Sequence, residues 1–201
     1  MTKREKLTTT IAAMIAAVAV IAAANTSKPA QAYPMTPKAM TKAEQVARGK
    51  YLVTIGGCND CHTPWIMQAN GKPGPDMSRA LSGHPQDFPI TVPAKHTSDR
   101  FAVSIAPTNT AYSGPWGVSF AANLTPDEMT GTGIWTFDIF KNTIRNGRHW
   151  GVGRPLNPPM PWFNYREMTD EDLAAVFAYT RTLKPIRNEV PQPLPPAEVG
   201  G

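Results

Sequence analysis

The sequence has few cysteines and no concentrated run of positive charge. Only two of its 201 residues are cysteine, which excludes a framework of disulfide bonds. Lysine and arginine outnumber aspartate and glutamate by 20 to 15, but they form no cluster interleaved with aromatic residues. Without residues 1–32 the balance is 16 to 14, a net charge of only +2. We therefore expect no nucleic-acid partner.

Long apolar segments are also scarce, and the one present lies near the N-terminus. Ile11 to Ala24 is a stretch of 14 residues without charge, preceded by three basic residues and followed by small residues that end at Ala32. This order is typical of a signal peptide over residues 1–32, and we predict cleavage after Ala32. The 14 apolar residues fall short of the roughly 20 that span a bilayer, so a retained anchor is the alternative. Export predicts a protein of the periplasm that meets membranes only by transient association.

Three helices are predicted from apolar spacing and capping residues. The first extends from Thr41 to Gly56, with Thr41 or Thr36 as its N-cap. The second extends from Trp135 to Arg145, between an N-cap at Thr136 and a stop at Gly147. The third begins at the cap Thr169 and is closed by Pro185. Their predicted buried faces are Ala43, Val46, Ala47, Tyr51, Leu52 and Ile55; Phe137, Phe140 and Ile144; and Leu173, Val176, Phe177, Thr180 and Leu183. The predicted fold class is all-α, in one domain over residues 33–188.

Proline is frequent and marks the irregular parts of the chain. Twenty of the 21 prolines follow residue 32. Residues 63–119 are predicted to be a long irregular insertion with short strands at 90–92 and 101–105. Residues 189–201 are predicted to form an extended, proline-rich tail.

The two cysteines stand in the segment Cys58-Asn59-Asp60-Cys61-His62, which is C-x-x-C-H, the attachment signature of c-type haem. Two thiols three residues apart on one turn can each add to a haem vinyl group, and the adjacent imidazole then ligates the iron. A redox C-x-x-C would follow a strand rather than a helix and two glycines. A zinc site would need further ligands at suitable spacing. We predict one covalent haem c, held by Cys58 and Cys61 with His62 as an iron ligand.

The other face of the iron needs a ligand or stays open. A second ligand such as methionine favours electron transfer, whereas an open site favours ligand binding or catalysis. Met160 is the favoured ligand because it lies in the stiff segment Pro158-Pro159-Met160-Pro161-Trp162. The alternative for Met160 is a gap-filling role in the core. His149 is the reserve ligand. The other candidates after the motif, all less favoured, are Met67, Met77, Met129, Met168, His84 and His96.

These residues resemble those of monohaem class I c-type cytochromes. The resemblance rests on Ala47 to Tyr51, Gly57 to Thr63, the proline-flanked Met160 and the final helix. More narrowly, Asn123 to Asp127, Thr132 to Thr136, Arg148, Pro158 to Trp162 and Met168 to Leu173 are similar to the haem modules of cytochrome subunits that serve periplasmic alcohol, aldehyde and sugar-acid dehydrogenases. The resemblance implies a cytochrome c-like fold in which the first and last helices cross, with Gly49 against Tyr179 or Phe177, and it also implies Met160 as the axial ligand.

Further residues are candidates for contact with the haem propionates. Trp135, Asn123, Thr125 and Arg148 can supply hydrogen bonds or charge. The alternatives are that Trp135 belongs to the core and that Arg148 only interacts with the dipole at the end of its helix.

The sequence therefore predicts a periplasmic electron carrier, not an enzyme. Its expected donor is a periplasmic dehydrogenase, and its acceptor a terminal oxidase or another cytochrome of the respiratory chain. One alternative is a haem enzyme or gas-binding sensor with an open distal site. Another is an obligate cytochrome subunit of a dehydrogenase complex, with residues 63–119 as its interface.

Overall fold

The structure, a computed structural model, describes residues 39–90 and 103–196. The predicted signal peptide, His96, most of the strand predicted at 90–92 and the last five residues of the tail lie outside the described residues. Within the described part of the chain, no helix is both long and apolar enough to cross a bilayer.

The described residues form five α-helical segments, and the three predicted helices are among them. They are α1 (Lys42–Ile55), α2 (Cys58–His62), α3 (Phe137–Asn146), α4 (Trp162–Tyr165) and α5 (Asp170–Thr180), with 3₁₀ turns at Met77–Arg79 and His149–Gly151. Thr41, Thr136 and Thr169 cap α1, α3 and α5 as predicted, each accepting a hydrogen bond from a backbone N–H of the first turn. The polar caps thus fix where these helices begin.

Helix α5 ends earlier than predicted. Its last residue is Thr180, five positions before Pro185. The hydroxyl of Thr180 donates to the carbonyl of Phe177 at 2.8 Å, and that of Thr182 donates to Tyr179 at 2.7 Å. Such bonds from hydroxyls compete with the helical pattern and favour turns.

Helices α1 and α5 cross at Gly49, as the resemblance implied. A Cβ atom built on Gly49 would lie 1.9 Å from the carbonyl oxygen of Ala175 and 2.8 Å from Cβ of Tyr179. The ion pair between Arg48 and Asp172, 2.6 Å apart, also joins the two helices. The backbones meet here because glycine has no side chain to separate them.

The predicted apolar stripe of α1 is wrong in part. The residues of α1 that are buried are Gly49, Leu52 and Val53, whereas Tyr51 and Ile55 are 57% and 61% exposed. The stripe was centred on large side chains, but the contact with α5 is centred on a glycine. In α5, Leu173 and Thr180 are buried and the other predicted core residues are half-buried.

The proline-rich region contains two small antiparallel sheets. The first pairs β1 (Trp65–Met67) with β2 (Pro73–Pro75). The second has the order β3 (Ser104–Ile105), β4 (Ala111–Gly114) and β5 (Gly117–Phe120). Strand β3 falls within the strand predicted at 101–105, and the others were not predicted. The all-α class stays a prediction for the part of the fold around α1, α3 and α5.

The core and the C-terminal segment hold these parts together. Phe140, Ile144 and Leu173 form a buried apolar cluster between α3 and α5. Beyond α5, Asn188 is buried and its amide donates to the carbonyls of Ser82 at 2.7 Å and His84 at 2.8 Å. In the predicted tail, Leu194 and Val118 exchange two backbone hydrogen bonds of 3.0 Å, so β5 is paired on both sides.

Candidate functional site

Two glycines and a short helix place both cysteines and the histidine on one turn. After α1, Gly57 adopts a left-handed conformation with φ of 65°, which reverses the chain before α2 begins at Cys58. Cys58 and Cys61 are both free thiols and both half-buried. We call Cys58–His62 the attachment turn. Its two thiols and one imidazole are the groups that the attachment of a covalent haem requires.

The imidazole of His62 is held in one tautomer. Its Nδ1 lies 2.8 Å from the carbonyl oxygen of Ala122. A carbonyl only accepts, so Nδ1 carries the proton and Nε2 keeps a lone pair, which has no hydrogen-bond partner among the described residues. Burial lowers the pKa of His62, although the bond to Ala122 acts in the opposite direction. A metal-ligating histidine is usually neutral, with one ring nitrogen free for the metal and the other donating its N–H to a carbonyl or carboxylate, as Nδ1 does here.

The chain that follows the attachment turn folds back over it. The carbonyl of His62 accepts a bond of 2.7 Å from the N–H of Gly83. The hydroxyl of Thr63 donates to Asn59 at 2.8 Å and accepts from the N–H of Leu81 at 2.9 Å. The predicted insertion therefore begins as part of the wall of the site.

The insertion also covers the side of the turn that bears Cys61. The Tyr112 hydroxyl, on β4, lies 3.0 Å from Sγ of Cys61 and 2.7 Å from the carbonyl oxygen of Asn109. The amide of Asn109 in turn donates to the carbonyl of Asp60 at 2.7 Å. Burial, followed by the neighbouring Cys61, raises the pKa of Tyr112, so this hydroxyl stays protonated at neutral pH.

The side that bears Cys58 is covered by α4. The hydroxyl of Tyr165 donates to the carbonyl of Gly56 at 2.5 Å. A Cβ atom built on Gly56 would lie 3.7 Å from the Tyr165 ring and 3.8 Å from Sγ of Cys58. Burial raises the pKa of the Cys58 thiol to about 11, so the thiol is neutral in the folded chain.

Met160 stands two residues before α4, in a loop that we call the Met160 loop (residues 157–161). It is half-buried and packs against the core cluster of Phe140, Ile144 and Leu173. The carbonyl of Pro158 accepts a 2.6 Å bond from the hydroxyl of Ser119. Through α4 and Tyr165 the loop is joined to Gly56, two residues before the attachment turn. Its role as iron ligand stays a prediction.

The rival ligands are placed less suitably. Both ring nitrogens of His84 have partners, the Thr110 hydroxyl at 2.9 Å and the carbonyl of Phe88 at 3.0 Å. His149 is half-buried beside the rings of Trp135 and Trp150, and burial lowers its pKa. The remaining methionines are either exposed or, for Met168, packed against the core: Met67 is 68% exposed, Met77 56% and Met129 80%.

The four predicted propionate contacts differ in how their polar groups are used. Asn123 and Thr125 are buried, bonded to each other at 2.7 Å, and Asn123 donates to the carbonyl of Ile186 at 2.8 Å. Arg148 is exposed and donates to the carbonyl of Gly153 at 2.9 Å. The indole N–H of Trp135 has no partner among the described residues. Their contact with propionates stays a prediction.

Four residues of the site were not predicted from the sequence: Tyr112, Ser119, Ala122 and Tyr165. Tyr112 and Ser119 lie in the insertion, and the Ala122 carbonyl belongs to the backbone. A carbonyl carries no side-chain signal, and contacts between residues 39 or more positions apart depend on the fold. Only Tyr165, close to Met160 along the chain, could have been included on proximity.

Comparison with known proteins shows that this chain is similar to cytochrome subunits. The chain is 29% identical over 175 residues to the fructose dehydrogenase cytochrome subunit of Gluconobacter japonicus, covering 87% of this chain and 28% of that protein. It is 29% identical over 134 residues to the gluconate 2-dehydrogenase cytochrome c subunit of Pantoea cypripedii, covering 67% and 22%. It is 27% identical over 149 residues to the cytochrome c subunit of the quinone-type alcohol dehydrogenase of Gluconacetobacter polyoxogenes, covering 74% and 24%.

These comparisons confirm the predicted resemblance to cytochrome c subunits of dehydrogenases, which supports a haem c module with an electron-transfer role. The chain spans less than a third of the length of the curated relatives it matches. No family model matches it.

Proposed function

We propose that this chain is a periplasmic cytochrome with one covalent haem c, and that it carries one electron from a dehydrogenase to a respiratory acceptor. The observation that carries the proposal is the attachment turn. There the Nδ1–H of His62 donates to the Ala122 carbonyl and its Nε2 keeps a free lone pair. The two cysteines beside it are in no disulfide bond. The similarity to cytochrome c subunits of dehydrogenases supports the same function.

Each residue of the site has a distinct task in this proposal. Cys58 and Cys61 tether the haem, and Nε2 of His62 binds its iron. The bound haem supplies one-electron chemistry, as its iron alternates between the ferric and ferrous states. The Ala122 carbonyl keeps His62 oriented, and Tyr112 and Tyr165 enclose the two sides of the turn. We propose a cytochrome c-like fold around this group.

Met160 is our proposed second iron ligand. The two prolines before it and the one after it fix φ at three positions and limit how far the loop can move. His84 would lose two hydrogen bonds to reach a metal, and the exposed methionines lie away from the core. A thioether opposite an imidazole raises the reduction potential and suits electron transfer.

The partners follow from the relatives. The printed names of the fructose and gluconate proteins make them subunits of dehydrogenases. We propose a dehydrogenase as the electron donor of this chain, with an oxidase or another cytochrome as acceptor. Attachment to the donor as a permanent subunit is the second candidate, and it predicts that the two proteins co-purify. A transient complex predicts separation in moderate salt.

Binding of carbon monoxide tests whether both axial positions of the iron are filled. The protein is expressed with haem-maturation machinery, reduced, and its absorption spectrum recorded with and without the gas. We expect no change, because both axial positions are filled. Ready binding of the gas would contradict the closed site and favour the open, enzyme-like or sensor alternative.

Covalent attachment has a separate test. We expect the double variant Cys58→Ser, Cys61→Ser to lose all haem on extraction with acidified acetone, because serine does not form the thioether. The wild-type protein should keep its colour under the same treatment. Colour retained by the double variant would refute attachment through this turn.

The assignment of Met160 predicts a change in the ferric spectrum. Met160→Ala should lose the weak near-infrared band of a thioether–iron bond and should bind carbon monoxide once reduced. Met168→Ala is the matched control, because Met168 packs against the same core cluster. A band that survives in Met160→Ala would move the ligand to another residue, with His149 next in order.

A further inference from the structure

One pair of residues in the insertion touches both halves of the site. In the hairpin of β4 and β5, Tyr112 lies directly opposite Ser119. Side chains of directly opposite residues in an antiparallel pair point to the same face of the sheet. On this face the Tyr112 hydroxyl reaches Sγ of Cys61 at 3.0 Å, and the Ser119 hydroxyl donates to the Pro158 carbonyl at 2.6 Å.

The hydroxyl of Ser119 is directed by its neighbours. It accepts a hydrogen bond from the indole N–H of Trp116 at 3.3 Å. Of its two carbonyl acceptors, that of Pro158 at 2.6 Å is much closer than that of Tyr112 at 3.4 Å, so its proton is directed to Pro158. Ser119 and Tyr112 are each 6% exposed, so water competes little with these bonds. The hairpin itself is held on its outer edge by the pairing of Val118 with Leu194.

The Met160 loop has few other means of being held. Pro158, Pro159 and Pro161 have no backbone N–H, so the loop can bond the rest of the protein only through its carbonyls, its side chains and the N–H groups of Asn157 and Met160. The N–H of Met160 is used within the loop, on the carbonyl of Asn157 at 3.3 Å. Among the described residues, the bond from Ser119 is therefore the hydrogen bond that joins the prolines to the insertion.

We infer that Tyr112 and Ser119 are positioning residues that hold the Met160 loop at a fixed distance from the attachment turn. This inference rests on the proposed function, since it concerns the distal ligand of the same haem. A thioether binds iron weakly, so its bond depends on a loop placed in advance. The insertion is then a brace for the distal side of the site, in addition to covering Cys61.

The test compares Ser119→Ala with Ser113→Ala in the haem-loaded protein. Ser113 is also buried, at 4% exposure. It directly follows Tyr112 and is paired with Val118, so its side chain lies on the opposite face of the hairpin. Its hydroxyl has no partner among the described residues. Both variants therefore remove a buried serine hydroxyl from the same hairpin, and only Ser119→Ala removes the bond to the Met160 loop.

We expect Ser119→Ala to bind carbon monoxide about tenfold more tightly than the wild type, with a weaker thioether–iron band. Leaving the Pro158 carbonyl without its donor shifts the loop toward its open state, and apparent affinity follows the open fraction. Tyr112→Phe should give a smaller increase of about threefold, by freeing the other end of the brace. The double variant should bind no more tightly than Ser119→Ala, because the two residues act as one unit.

The outcomes separate the inference from the function on which it rests. A wild-type protein that shows the band, with Ser119→Ala and Ser113→Ala indistinguishable from it, would overturn the brace and leave the electron carrier intact. A wild-type protein without the band that binds the gas freely would overturn both. If Ser119→Ala does not fold, as judged by circular dichroism, Tyr112→Phe decides alone, and unchanged gas binding in that variant refutes the brace.

Discussion

The crossing of α1 and α5 makes Gly49→Ala the most demanding test of the fold. A Cβ atom at this position would lie 1.9 Å from the Ala175 carbonyl oxygen, whereas ordinary contact begins at 3.4 Å. The two helices would have to separate by about 1.5 Å. The obstacle is backbone, so no side-chain rotation can relieve it.

The expected loss of stability is the balance of two effects. Overpacking of a core costs about 1–3 kcal/mol, and the upper end applies because the obstacle is rigid. Alanine in place of glycine inside a helix raises the free energy of unfolding by about 1 kcal/mol. The net expectation is a loss of about 2 kcal/mol, or about 4–8 °C in the melting temperature of a chain of this size.

Urea unfolding of the haem-loaded protein, followed by circular dichroism, measures this loss. The matched control is Ala47→Gly, at an exposed position of the same helix, which should cost about 1 kcal/mol from helix propensity alone. If Gly49→Ala were as stable as the wild type, the close approach of the two backbones would be wrong.

Two further predictions concern buried and capping residues. Burial lowers the pKa of His84 below its ordinary 6.5, so the unfolded chain binds a proton that the folded chain refuses, and stability falls as the pH falls through 6.5. Between about pH 7.5 and 5.5 this group lowers the free energy of unfolding by at most about 1.4 kcal/mol. Urea titrations at the two pH values should therefore show a weaker pH dependence in His84→Gln than in the wild type. An equal dependence in the two proteins would contradict the burial of a neutral His84. Thr169→Ala removes the hydroxyl that accepts the hydrogen bond of the Asp172 N–H at 3.1 Å, and it should lower the free energy of unfolding by about 1 kcal/mol in the same assay. Thr136→Ala, at the cap of α3, should cost about as much. Comparison of the two variants separates a general effect of capping from one special to α5.

The helices could be predicted because their signals are local. Thr41, Thr136 and Thr169 each bond a backbone N–H three residues away, so the capping information lies within one turn of the chain. The buried face of α1 was predicted wrongly in part, because apolar spacing follows the large side chains whereas the contact with α5 is centred on Gly49. The strands of the insertion have too few residues, and β2 too much proline, for a period of two to be visible.

The same distinction applies to the site. The spacing of Cys58, Cys61 and His62 is local, and the structure places these residues on one turn. The partners of the turn are distant, since Ala122 lies 60 residues after His62 and Tyr112 lies 51 after Cys61. Such contacts are set by the packing of the insertion, which no local pattern records.

Asn188 has a consequence for the order in which the molecule is completed. Its side chain bonds the carbonyls of Ser82 and His84, which precede it by 106 and 104 residues. Contacts between such distant positions form late and slow the folding of a chain. The two bonds that hold Ser82 and His84 beside the C-terminal segment can therefore form only once nearly the whole polypeptide is present.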